Sequence, residues 1–188
     1  MSEIIINNWW ENKRKTINEL LAKELGYSSP MQPTKLKKII LNSGVSQAIN
    51  NKQLLDNTFK ALQQITGQKP ILTNARKSII SFKLREGMPI GCKVTLRKKR
   101  AWDFLFMLIN ICLPRIPSFQ GLSREKFDHH GNYNLGIKDL SIFPTVDYSL
   151  VFKNQGCQVT LVFSSSSKEE NSLFLSFLNF PFFIEKDH

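Results

Sequence analysis

Residues 73–100, TNARKSIISFKLREGMPIGCKVTLRKKR, hold nine cations and one acid. The cations are Arg76, Lys77, Lys83, Arg85, Lys93, Arg97, Lys98, Lys99 and Arg100, and the acid is Glu86. This stretch carries +8 of the chain's formal +11, so the remaining 160 of 188 residues share about +3. The chemistry such a set performs is attraction of a polyanion. Like charges at this density repel one another and weaken a fold until counterions or a partner screen them. A phosphate backbone screens them, and the ions it releases drive binding. An anionic membrane surface is the other class of polyanion that would serve.

A second group, Asp128, His129 and His130 in DHHGNY, has the residue types of an acid/base pair or metal site. It would suit a nucleic-acid-processing enzyme. The same six residues also read as a turn, and no further carboxylates cluster around them. Cys92, Cys112 and Cys157 are too far apart for metal-ligand spacing and read as small core residues in a reducing compartment. No Gly-rich phosphate loop occurs. The sequence therefore predicts no catalytic residues, no metal and no cofactor.

The elements that must position the cations follow from periodicity. In IGCKVTLR, Ile90, Cys92, Val94 and Leu96 alternate with Gly91, Lys93, Thr95 and Arg97. A strand with that pattern turns its apolar row to a core and its basic, hydroxyl-bearing row outward. Helices are predicted over 11–25, 51–66 and 99–112, and from the serines at 164–167 to about Asn179. Apolar positions at helical spacing carry each one: Leu55, Phe59, Leu62 and Ile65 in the second, Trp102, Leu105, Phe106 and Ile109 in the third, Leu173, Phe174, Phe177 and Leu178 in the last. Strands are predicted at 37–45, 69–73, 133–137 and 157–163, and SFKL (81–84) is expected to form a hairpin with 90–97 around REGMP. This mixture predicts an α+β fold: an antiparallel sheet with helices packed on one face and the other face open for RNA. The expected layout is an N-terminal extension at 1–14, one RNA-binding domain at 15–183 and a tail at 184–188.

An open sheet bearing hydroxyls, amides and cations suits the shape and 2′-OH groups of folded RNA, whereas no helix here offers a row of base-reading side chains for a DNA major groove. Phe82, Phe119, Phe127 and Tyr133 could stack on bases, with core packing as the default. The apolar runs at 104–113 and 172–184 are shorter than the roughly 20 residues that span a bilayer, so no membrane insertion is expected. A peripheral membrane protein held by its Phe-rich C-terminus is a third reading. It would bind liposomes in high salt, where RNA binding fades.

Long ordered segments also carry a resemblance: LNSGVSQAINNKQLLDN (41–57), TGQKPILTNARKSIISFKLREGMPIGCKVTLR (66–97), PRIPSFQGLS (114–123), FDHHGNYNLGI (127–137) and the terminal NFPF (179–182). Together they resemble the large-subunit ribosomal protein five family, the 5S rRNA-binding proteins of the central protuberance, of bacterial or organellar type. The resemblance implies a non-enzymatic structural role beside large-subunit rRNA. It implies that the sheet face binds 5S rRNA, with Asn42, Gln68 and Thr95 at the matching polar positions beside Lys93 and Arg97. It implies that the loop carrying Arg76, Lys77, Lys83 and Arg85 reaches the elbow of the peptidyl-site tRNA. It implies that residues 114–150 touch small-subunit head protein thirteen. His130 stands where many relatives carry arginine, and acids expected beside Asp147 are absent. Trp9 and Trp10 have no family counterpart and read equally as a docking contact or a staple on the first helix. Abundant Asn, Ile, Lys and Phe, with no transit peptide in view, suit a ribosome of the mitochondrial matrix, and the bacterial cytoplasm is the alternative.

Overall fold

The computed structural model describes residues 2–27, 29, 31–49, 51–117, 119–150 and 155–183, with the side chains of 2–10, 47, 49 and 148 outside the description. The side chains of Trp9 and Trp10 and the tail at 184–188 thus lie outside the described residues. Helix α1 (Ser2–Glu24) leads to strand β1 (Leu36–Gly44), helix α2 (Lys52–Thr66), strands β2 (Ile71–Asn74) and β3 (Pro89–Leu96), and helix α3 (Lys98–Met107). Strands β4 (Tyr133–Ile137) and β5 (Cys157–Phe163) and helix α4 (Lys168–Phe177) complete the chain. The strands form a five-stranded antiparallel sheet in the order β2-β3-β1-β5-β4, so the α+β class read from the sequence is the one observed.

Two compact units divide these elements: Met1–Lys38 with Arg97–Asn134 and Leu161–His188, and Ile39–Leu96 with Leu135–Thr160. The second unit is built on β3. Its neighbours are β1, with Ile40 opposite Thr95, Asn42 opposite Lys93 and Gly44 opposite Gly91, and β2, with Ile71 opposite Lys93 and Thr73 opposite Gly91. Ile39, Leu41, Cys92, Val94 and Leu96 form the buried row. Helix α2 covers it with Leu55, Ala61, Leu62 and Ile65, and the Cys92 thiol lies 4.0 Å from the Leu55 carbonyl. Asn51 caps α2 by accepting from the Gln53 N–H, and Gly67 closes it at a left-handed φ of 60° that a side chain would strain.

The first unit is a small helical core. Ile17 and Leu21 of α1, Trp102, Leu105 and Leu108 of α3 and its continuation, and Phe174 and Leu175 of α4 are all buried. Trp102 and Phe163 both meet Phe174, at ring separations of 6.2 and 5.5 Å. Beside them Phe127, Phe180 and Phe182 surround the fully buried Tyr133 at 4.9, 5.3 and 5.9 Å. Phe174, Phe180 and Phe182 of the Phe-rich C-terminus are thus engaged in packing. Among the described residues no helix is long and apolar enough to cross a membrane.

Four expectations need correction. Helix α1 starts at Ser2 rather than near residue 11: no proline or glycine interrupts 2–10, and the lack of regular apolar spacing hid the helix. Residues 81–84 are not a strand, because Lys83 takes a left-handed φ of 52° that an extended ladder cannot hold, and β2 is the hairpin partner of β3 instead. Third, Leu55, Leu62, Ile65, Trp102, Leu105, Phe174 and Leu178 are buried as expected, but each helical stripe differs at one or two positions. Thr58 and Ala61 replace Phe59 in α2, Phe104 replaces Phe106 in α3, and Leu175 replaces Phe177 in α4. Fourth, Phe82 does not pack in the core; it is 68% exposed.

Candidate RNA interface

On the face of the second unit opposite α2, the register places Ile71, Lys93 and Asn42 in one row across three strands. Lys93 and Asn42 are exposed and Thr95, opposite Ile40, is half-buried. The next row, Thr73, Gly91 and Gly44, is low. A Cβ on Gly91 would fall 2.7 Å from the Ser43 carbonyl oxygen and 2.8 Å from the Thr73 hydroxyl, so only glycine fits. Gln68 follows the α2 cap, and its amide donates to the Thr95 carbonyl at 3.2 Å, which ties it to β3. Four of the five sequence-derived sheet positions, Asn42, Gln68, Lys93 and Thr95, therefore belong to this unit. Arg97 opens the other one; it is extended (φ −138°, ψ 161°) and exposed.

The connection from β2 to β3 is a structured arm. Ala75 and Met88 pair through Ala75 N–H to Met88 O at 2.8 Å, and Ile79 and Leu84 exchange two backbone hydrogen bonds at 2.9 and 3.1 Å. The Glu86 N–H donates to Ser78 Oγ at 2.9 Å. Arg76, Lys77, Lys83 and Arg85 line this arm and all are exposed. None of these four, nor Lys93 or Arg97, pairs with an acid among the described residues. Between the cations stand Ile80, 95% exposed, and Phe82, beside a groove of about 700 Å³ floored by Val45 and Ile90. Sequence reasoning misses this apolar tip because SFKL (81–84) reads as a hairpin strand and Phe82 as a core residue. The signal was present as apolar residues confined between cations with no matching run to pair against.

The Asp128-His129-His130 group is a turn. The Asp128 carboxylate accepts from the His130 N–H at 2.9 Å, the Asn132 N–H at 2.8 Å and the Asn132 side chain at 2.9 Å. Partial burial pushes its pKa up, but those hydrogen bonds and the nearby His130 prevail and hold it below the usual carboxylate value. A carboxylate so engaged is a poor base. Among the described residues no group of three or more His, Cys, Asp or Glu could hold a metal ion. The three cysteines are buried, and none forms a disulfide among the described residues. Burial pushes Cys92 up to about 11, with Asp56 adding to it, and Cys112 up to about 11 against the pull of Arg115. Thiols in that state are inert at neutral pH.

An α+β domain whose sheet face and arm expose cations that pair with no acid among the described residues suits a polyanion such as RNA. Comparison with known proteins gives it a place. Residues 29–85 match the family model of ribosomal protein L5, and residues 89–182 match the model of that ribosomal family's C-terminus. The chain is 50% identical over 170 residues to the large ribosomal subunit protein uL5 of Buchnera aphidicola subsp. Schizaphis graminum (strain Sg), covering 90% of this chain and 94% of that protein. The chain belongs to the ribosomal protein L5 family, of bacterial type. It is an RNA-binding protein of the large ribosomal subunit, from a family of structural ribosomal components.

Proposed function

We propose that the protein holds 5S rRNA in the central protuberance through the open face of its sheet. Lys93 meets phosphate, Asn42, Gln68 and Thr95 supply hydrogen bonds to sugar and backbone, and Arg97 extends the contact. The observation that carries this reading is the row Ile71–Lys93–Asn42, in which Lys93 and Asn42 are exposed on the face opposite α2. Arg76, Lys77, Lys83 and Arg85 on the connecting arm touch the elbow of the peptidyl-site tRNA, and residues 114–150 meet head protein thirteen of the small subunit. The bacterial relative supports the bacterial cytoplasm as the setting, in preference to the mitochondrial matrix that composition suggests.

The test is binding of a 5S rRNA transcript measured by fluorescence anisotropy against salt. Thr95→Ala should weaken it by about 1–2 kcal/mol, the scale of a lost polar contact at a closed interface. Alanine at Arg76, Lys77, Lys83 and Arg85 together should leave most of the 5S affinity and reduce tRNA crosslinking on assembled ribosomes. Unchanged affinity in Thr95→Ala would remove the sheet face from the interface. A collapse of 5S binding in the fourfold variant would abolish the division between face and arm.

A further inference from the structure

The cations of the arm suit RNA, but the hydrocarbon between them does not. Five of the ten large apolar residues exposed among the described residues fall within 71–82: Ile71, Leu72, Ile79, Ile80 and Phe82. One exposed apolar residue is ordinary, whereas a concentration of them marks a surface that something covers. The turn at the tip is also held in place. The Lys83 N–H donates to the Ile80 carbonyl at 3.0 Å, and Lys83 takes a left-handed φ of 52°, which strains a residue with a side chain. Ile80 and Phe82 thus stand in water on a constrained backbone.

The groove beside the tip, of about 700 Å³, lies within the range of about 300–1,000 Å³ that ligand pockets occupy. Val45, Phe82, Leu84 and Ile90 give it apolar walls, Ser46 and Ser81 add hydroxyls, and Lys83 is its charged member among the described residues. Around it, residues 75–85 carry Arg76, Lys77, Lys83 and Arg85 and no acid; Glu86 follows, its N–H bound to Ser78. An occupant must be apolar where it meets the groove and tip, and acidic where it meets the arm. A nucleotide satisfies the second demand with its phosphate and fails the first. The polar edge of its base would face Val45, Leu84 and Ile90, whose side chains hold no donor or acceptor. A protein segment with aliphatic or aromatic anchors between carboxylates satisfies both.

We infer that the tip and groove dock a protein partner through a short segment that seats apolar side chains in the groove and sets Asp or Glu against Lys83 and the other arm cations. The constrained turn lowers the cost of ordering this surface on binding. The docking is independent of the sheet face. Because Lys83 is also assigned to tRNA, a bound protein segment and a bound tRNA exclude one another on the arm.

The experiment uses the full chain and three fluorescein-labelled peptides in anisotropy titrations. One has a Leu-Phe-Leu centre flanked by Asp and Glu, one has Asn and Gln in place of the acids, and one keeps the acids around a serine centre. The tip variant is Ile80→Ser with Phe82→Ser. Met31→Ser with Phe183→Ser controls for exposed hydrocarbon lost elsewhere. Lys83→Gly removes one charge at a φ that glycine accepts. Wild type should bind the acidic apolar peptide about tenfold more tightly than either of the others. The tip variant should lose about tenfold of that affinity and Lys83→Gly about threefold. Both variants should melt as wild type does, the tip variant should keep its affinity for a 5S rRNA transcript, and the control should bind the peptide as wild type does. Peptide affinity in the tip variant equal to that of the control would overturn the inference and leave the RNA reading standing. So would equal binding of the acidic and amide peptides, which would remove the carboxylates from the partner. So would a tip variant that keeps its peptide affinity and loses tRNA crosslinking on assembled ribosomes, which would make the tip a nucleobase site. A wild-type chain that binds the acidic apolar peptide and no 5S rRNA would sink the sheet-face reading and leave this docking surface in place.

Discussion

Two polar regions of this molecule are built on opposite terms. In the first unit, Thr34, Glu170 and Asn171 are buried, and each is satisfied from within. Glu170 accepts the Thr34 N–H at 2.6 Å, Asn171 accepts the Thr34 hydroxyl at 2.7 Å, and the Asn171 amide donates to Gly131 and Ser165 carbonyls at 2.9 Å each. On the sheet face and arm of the second unit, cations are exposed and make no ion pair within the described chain. The fold uses the first set, which is why it is paired. It does not use the second, whose cations are positioned by backbone register and left for something outside the chain.

The comparison is broken most easily at its buried end. Asn171→Ala should destabilise the protein by about 3 kcal/mol, because it takes a partner from three polar groups in a largely buried cluster. Urea denaturation measures this, and a loss below about 1 kcal/mol would mean that water enters the cluster. Next in size is Gly91→Ala, which thrusts a methyl group at the Ser43 backbone oxygen and should cost about 2 kcal/mol by forcing β1 and β3 apart. Thermal melts that match wild type would show that the two strands have room to give.

Asp128→Asn comes third, at about 1 kcal/mol, because the neutral amide weakens the hydrogen bonds that close the turn. The sign of its pH dependence is fixed. A carboxyl with a lowered pKa in the folded state stabilises the protein above its unfolded value, and that contribution vanishes as pH falls through the folded value. Wild type and Asp128→Asn should therefore converge in stability in acid and separate above about pH 4. Smallest of all is Lys93→Ala, which should shift stability by less than about 0.5 kcal/mol while reducing RNA affinity. A large stability loss there would show that the face serves the fold after all.

How much of this was legible in the sequence depended on the kind of force involved. The β3 alternation exposed Lys93 and buried Cys92, Val94 and Leu96, because a strand has a strict two-residue period and α2 lies on one side of it only. Asn51 and Gly67 marked the ends of α2 through their local backbone preferences. Glu170 and Asn171 could not be found that way. In a helix that begins with serines and acids, both read as solvated first-turn residues, and most of the partners that let them be buried come from distant chain, Thr34 for both and Gly131 for Asn171.

The Ile80–Phe82 tip has a consequence for the life of the free chain. Bare hydrocarbon held out in water between cations is a place where identical copies stick to one another, most readily when salt screens the charges that keep them apart. The free protein should thus be least soluble at high concentration in high salt.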